Sequence, residues 1–250
     1  MKNTFLFFLF LIFLSCQTTQ HIARVSEYSY QIDGDRLESQ DSSVIRMIQP
    51  YKGKLDKQMN EVIASAAITL TKAKPQSTLG NWMADAIKTK AEEYSGRPVD
   101  FAAQNYGGIR ISELRKGPVT RGKMYELMPF ENRMVILELD GATVQSFLDH
   151  TAAGGGWPLS KEVRMVIDGG RATEVMISEQ ALQANKNYLV VLPDYIANGG
   201  DSADFLVGKT RTELPNLIRE ALIEYAEELQ QQGRKIDAEI DFRVKIKEGR

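Results

Sequence analysis

Two apolar runs in this chain each end in a loop built around paired glycines, and this pattern constrains the fold more than any other feature. Asp100 to Gln104 reads as a short strand and gives way to Asn105-Tyr106-Gly107-Gly108-Ile109-Arg110. Tyr188 to Leu192 reads as a buried strand and is followed by Asp194-Tyr195-Ile196-Ala197-Asn198-Gly199-Gly200-Asp201. Paired glycines let a loop reverse tightly and bring backbone N–H groups close to a ligand. A third stretch, Met128-Pro129-Phe130-Glu131-Asn132, precedes another strand-like run, Arg133 to Leu139. Loops at strand ends are where mixed α/β folds commonly present ligand contacts.

The remaining elements follow from periodicity and punctuation. Leu79, Trp82, Met83, Ala86 and Ile87 recur at helical spacing, so 79–94 reads as an amphipathic helix with Ser77 or Thr78 as N-cap and Gly96 and Pro98 as its stop. Asp140-Gly141 turns the Arg133 strand into a helix carrying Val144, Phe147 and Leu148. Val163 to Ile167 reads as a further buried strand. Pro215 is expected near the first turn of a long helix whose Ile218, Leu222, Tyr225 and Leu229 face the core and which ends at Gly233. Ile240, Phe242, Val244 and Ile246 alternate as a final strand. Helices and strands alternate without a strict βαβ rhythm, which points to the α+β class.

With 250 residues and 43% hydrophobic content the chain can bury one sizeable core. Its 31 basic and 33 acidic residues give no large net field that would argue for nucleic acid or an anionic membrane surface as a partner, a balance that is still compatible with local basic patches. The N-terminus is more specific. Lys2 precedes an apolar run, Phe5 to Leu14, too short to span a bilayer and shaped like a signal-peptide core. It ends at Leu14-Ser15-Cys16, which resembles the lipobox of bacterial lipoproteins, with Cys16 the only cysteine. The plainer alternative is a cleaved signal with an incidental cysteine; the position directly after the apolar run favours lipidation. Residues 1–15 are therefore expected to be a lipoprotein signal peptide, 16–43 a polar tether (with Val25 to Ile32 as one candidate strand), and 44–250 the globular domain, whose apolar periodicity begins at Val44. Acyl chains on Cys16 would hold the protein at a membrane face. Gln17 after the cysteine resembles sorting to the outer membrane of a bacterial cell envelope.

On local chemistry alone, a Gly-Gly turn with a surface Arg110 is most often just a turn, Phe130 most often core, and Asp201 most often a turn or helix cap. Taken together, the three loops resemble the substrate-binding C-terminal domain of the 5'-nucleotidase family, over roughly residues 45–245. The resemblance implies a four-layer α/β/β/α domain. It further implies that Asn105 and Arg110 contact substrate, that Phe130 and Tyr195 stack on the two faces of a nucleobase, that Asn132 lies at the same pocket, and that Asp201 accepts hydrogen bonds from ribose hydroxyls. All six are expected on one concave surface. One departure from the family concerns an Arg that many relatives place a few residues before the Gly-Asn opening the first helix. Here Lys74-Pro75-Gln76-Ser77-Thr78-Leu79-Gly80-Asn81 has Pro75 at that place, and Lys74 offers a point charge without the bidentate fork of an arginine.

A metallophosphatase site needs two metals held by several His, Asp and Asn ligands. This chain has two histidines, His21 in the expected tether and His150 on an expected helix. Gly154-Gly155-Gly156-Trp157 lacks the Lys-Ser/Thr ending of a phosphate-binding loop. No catalytic residue, metal ligand or cofactor is therefore assigned to the chain. The expected role is the nucleoside- or nucleotide-binding half of a 5'-nucleotidase-type hydrolase in nucleotide catabolism, with divalent metals carried by a metallophosphatase on a separate chain. The alternatives are a free-standing nucleoside-binding lipoprotein without a catalytic role, and a domain whose pocket has decayed and which now serves as a structural partner.

Overall fold

The computed structural model describes residues 42–247. The signal peptide, Cys16, His21, the Val25–Ile32 strand and the tether as far as residue 41 lie outside the described residues. The chain divides into two units, 1–48 and 49–250. Of the first, only the opening turns of helix α1 (Ser42–Met59) are described.

The elements that follow are β1 (Val62–Ala66), β2 (Leu70–Thr71), α2 (Thr78–Ser95), β3 (Phe101–Ala102), β4 (Glu113–Leu114), β5 (Gly117–Thr120) and α3 (Arg121–Leu127). Next come β6 (Arg133–Asp140), α4 (Gly141–Ala153), β7 (Val163–Asp168), β8 (Arg171–Ile177), β9 (Gln180–Ala181), β10 (Asn187–Pro193) and α5 (Asp194–Ala197). The chain closes with β11 (Arg211–Leu217), α6 (Ile218–Gln231) and β12 (Val244–Ile246). Two four-stranded sheets, β11-β6-β10-β3 and β12-β7-β8-β9, are accompanied by the two-stranded pairs β1-β5 and β2-β4.

The central sheet is buried on both faces along β6 and β10, whose middle positions are apolar without a break: β6 runs Met134, Val135, Ile136, Leu137 and β10 runs Val190, Val191, Leu192, whereas the edge strand β11 is polar and largely exposed. Alternation along the strands sends Met134, Ile136 and Val191 into one core with Leu79, Met83 and Ile87 of α2 and Ile218, Leu222 and Leu229 of α6. Val135, Leu137, Val190 and Leu192 enter a second core with Phe147 and Leu148 of α4 and Val163, Met165 and Ile167 of β7. Helix pair, central sheet, second sheet and α4 are the four components of the expected layered α+β fold. Met83 and Ile87 are fully buried, and truncating either to Ala would cost about 2–5 kcal/mol.

Local signals set the helix ends. The Ser77 hydroxyl accepts a hydrogen bond from Gly80 N at 3.0 Å, and Gly96 closes α2 with φ 65°. Asp140 caps α4 by accepting from Thr143 N at 2.7 Å.

Three expectations need correction. Pro215 lies in β11, not in a helix. It falls at the irregularity between Glu213 and Leu217 on a strand at the sheet edge, where its missing N–H leaves no ladder bond unmade. The last strand is confined to Val244–Ile246, because Phe242 turns through φ 59° and both it and Ile240 are exposed. Third, the apolar residues of α1, which periodicity assigned to the globule, are exposed: Val44, Met47, Ile48, Tyr51 and Leu55 are all at least 48% accessible.

Candidate functional site

Sheet topology brings the three loops together. β10 runs parallel to β3 and antiparallel to β6, with Val191 opposite Ala102 and Pro193 opposite Met134. The C-terminal ends of β3 and β10 therefore lie beside the N-terminal end of β6. The loops after β3, before β6 and after β10 open on the same edge of the sheet.

The first loop is anchored by Gln104 N donating to Pro158 O at 3.0 Å and by a single 3-10 turn over Tyr106–Gly108. A Cβ at Gly108 would lie 2.0 Å from Gln104 Nε2 and 2.8 Å from Asn105 Oδ1, so the glycine leaves room for these two amides to sit where they do. That amide nitrogen donates to Asn105 Oδ1 at 2.8 Å and so orients Asn105, whose Nδ2 donates to Asp201 Oδ2 at 2.7 Å. Arg110 is exposed, with its guanidinium 5.6 Å from the Phe130 ring centroid.

Phe130 is held through its backbone. The buried Arg219 on α6 donates to Phe130 O at 3.2 Å while its guanidinium lies 4.2 Å from the Tyr125 ring centroid. Ile218 N donates to Asn132 O at 2.9 Å. The start of α6 thus clamps both ends of the Phe130–Asn132 segment. The side chain of Phe130 remains 39% exposed, which sets it apart from the packing role that most aromatics have.

In the third loop Gly199 has φ 92° and Asp201 has φ 51°, ψ 34°. The turn carries Asp201 back onto Tyr195: the Tyr195 hydroxyl donates to Asp201 Oδ1 at 3.0 Å and accepts from Asp201 N at 3.2 Å. Tyr195 is 46% exposed. Both carboxylate oxygens of Asp201 thus have a protein donor, each with a lone pair left to accept a further bond.

The six residues singled out from sequence, Asn105, Arg110, Phe130, Asn132, Tyr195 and Asp201, line one cleft of about 330 Å³ together with Gly107 and Gly108. Two half-exposed aromatic rings, a fixed carboxylate and a guanidinium make it suited to a flat, hydroxyl-bearing ligand. Lys74 does not line this cleft. Its ammonium lies 4.6 Å from the Tyr106 ring centroid and donates to Gly154 O. Lys72 sits 4.0 Å from the same centroid and donates to Ile109 O at 2.7 Å. Burial, with Arg110 and Lys74 nearby, pushes the Lys72 ammonium below its ordinary value. Both lysines brace the first loop from behind. Neither Lys72 nor Arg219 stands out in the sequence, where Gln104 figures only as the end of a strand, and no local spacing marks any of the three. His150 on α4 packs edge-on to Trp157 and Phe205, at 5.4 and 5.8 Å between centroids. Among the described residues no group of three or more His, Cys, Asp and Glu is placed to hold a metal ion.

Residues 53–208 match the family model described as "5'-nucleotidase, C-terminal domain". The chain belongs to that family. Similar proteins include the trifunctional nucleotide phosphoesterase YfkN of Bacillus subtilis, 24% identical over 79% of this chain and 15% of its own length. An apyrase of Anopheles gambiae is 26% identical over 76% of the chain and 36% of its own length. The crystal structure of a 5'-nucleotidase precursor from Thermus thermophilus superposes with TM-score 0.69 and 26% identity, covering 82% of this chain and 43% of that one. The Haemophilus influenzae NAD nucleotidase, at TM-score 0.59 and 20% identity over 84% of this chain and 42% of that one, shares the fold. The chain spans less than half the length of each of these relatives.

Proposed function

We propose that this 5'-nucleotidase C-terminal domain binds a nucleoside or nucleotide in the Phe130–Tyr195 cleft. It would serve as the substrate-holding half of a hydrolase whose metals sit on a separate metallophosphatase chain. The observation that carries this reading is the convergence of two half-exposed rings with the Asn105–Asp201–Tyr195 network. Phe130 and Tyr195 would take the base between them, Asp201 and Asn105 the ribose hydroxyls, and Arg110 an anionic or hydroxyl-rich extension. A stacking clamp reads a π-face and tolerates different bases. We further propose that Cys16 is acylated and holds the domain at the outer membrane of a bacterial cell envelope, so that Cys16→Ser releases it from the membrane fraction.

Assay of AMP hydrolysis tests the division of labour. The purified chain should show no turnover with Mn²⁺, Mg²⁺, Zn²⁺ or Co²⁺, and activity should appear when a metallophosphatase chain from the same operon, if one is encoded there, is added. In that mixture Phe130→Ala should chiefly raise KM, because stacking binds ground and transition states alike. Metal-dependent turnover by this chain alone would overturn the split arrangement. Nucleoside binding without effect on any metallophosphatase would leave a free-standing binder.

A further inference from the structure

Helix α1 presents an apolar stripe that packing within the helix does not explain. Tyr51 is 76% exposed and Leu55 54%, and on the other side of Pro50 Met47 at 71% and Ile48 at 48% are exposed as well. At about 100° per residue, Lys52 and Lys54 fall about 80° to either side of the line midway between Tyr51 and Leu55, and Gly53 falls opposite it. Arg46, Lys52, Lys54 and Lys57 outnumber Asp56, the helix's one acid, although the whole chain carries a formal net charge of −2. Apolar residues along one face with lysines at both margins form the pattern of a helix lying in a lipid–water interface, where long side chains reach back to the headgroups. Among the described residues no helix is long and apolar enough to cross a membrane, which leaves a surface-lying arrangement for such a face.

We propose that α1 is a membrane-surface helix. Its Tyr51–Leu55 face would enter the headgroup–acyl boundary of an anionic bilayer, with Lys52 and Lys54 on the lipid phosphates. Charge complementarity selects the occupant: a helix this basic matches an anionic lipid surface. The covalent connection supplies the reach, since residues 17–41 between Cys16 and the helix span at most about 80–90 Å fully extended. The inference draws on the anchored reading only for that proximity.

The test uses the full acylated chain in vesicles of phosphatidylglycerol and phosphatidylcholine in equal parts. Cys16 is the only cysteine, so Tyr51→Cys or Gly53→Cys adds the one thiol free for a bimane label when Cys16 is acylated. A Cβ at Gly53 meets nothing within 4 Å, so that control is sterically neutral. The label at position 51 should shift to the blue, resist aqueous iodide and be quenched by brominated phosphatidylcholine, while the label at 53 stays open to iodide. Lys52→Gln/Lys54→Gln should lower the ratio of embedded to released helix roughly 30-fold, and pure phosphatidylcholine should act in the same direction. Equal iodide access at 51 and 53 would overturn the proposal. So would a label at 51 that is shielded from iodide and untouched by brominated lipid, because a protein would then cover the face. A wild-type chain that itself takes up bimane shows unacylated Cys16, a failure of the anchor that these depth readings report separately.

Discussion

Asp201 is held in the left-handed region at φ 51°, where few side chains other than Asn and Asp sit comfortably, and its carboxylate is fixed from two sides by Tyr195 and Asn105. Such fixing pre-orients an acceptor for a ligand hydroxyl. Asp201→Ala should weaken adenosine binding by roughly tenfold or more, the loss of a hydrogen bond to a charged group, and Asp201→Asn should weaken it less because it keeps one acceptor and the turn. Competition against a fluorescent nucleoside measures both. Gly200→Ala is a harsher test of the same loop. Its Cβ would lie 2.5 Å from Tyr195 O and 2.6 Å from the Tyr195 ring, so Tyr195 must move and its bonds to Asp201 with it, and binding should fall although no polar side chain has been removed. At this scale much of the cleft is legible in the sequence, since Asn105, Phe130, Tyr195 and Asp201 stand in short motifs. Gln104, Lys72 and Arg219 are not, because each acts by reaching a backbone or amide group that only the folded chain brings near.

Elements are positioned by a few buried polar contacts as well as by packing. Arg243, buried just before β12, spans both oxygens of Asp241 and both oxygens of Asp85 on α2 and donates to Leu159 O at 2.8 Å. Burial acts to raise both carboxyls. At Asp85 it prevails over the Arg243 contact, whereas at Asp241 the hydrogen bond and charge of Arg243 outweigh it and lower the value. The signs then differ. Asp241 contributes stability that is present above its unfolded value near pH ~4 and is lost as pH falls through its lower folded value. Asp85 costs stability at neutral pH, and that cost disappears as acid protonates it. Arg243→Met should lower unfolding free energy by about 3 kcal/mol at pH 7, towards the small end for a broken buried pair because both carboxylates retain contact with water. The deficit should shrink in urea titrations as acid neutralises the carboxyls, beginning with Asp85, whose raised value puts it above the ordinary carboxylate range, and ending with Asp241, whose value in the intact protein is lowered. The short β12 and the strand position of Pro215 were hidden from periodicity for related reasons. Alternating apolar residues at 240–246 look like a strand, but only Val244 is buried, and a proline before a helical run is equally at home on a sheet edge.

For the whole molecule, two cores share one central sheet, and the cleft lies at the sheet end where β3 and β10 finish and β6 begins. The mixed class, the main helices and the long strands follow from hydrophobic period and caps. The pairing of β10 parallel to β3 across about 85 intervening residues does not, because register between distant strands leaves no local mark. Family membership, by contrast, rests on the family model matched over residues 53–208, a stretch that contains all three loops. The central claim is that the cleft is a nucleoside site, and calorimetric titration of adenosine into the purified chain addresses it directly. An open half-site should bind with a dissociation constant between micromolar and millimolar, roughly 4–8 kcal/mol. Phe130→Ala and Tyr195→Ala should each weaken it by roughly 5- to 150-fold, the range for removing one stacking ring. Absence of binding, or an affinity that survives both substitutions unchanged, would contradict the account.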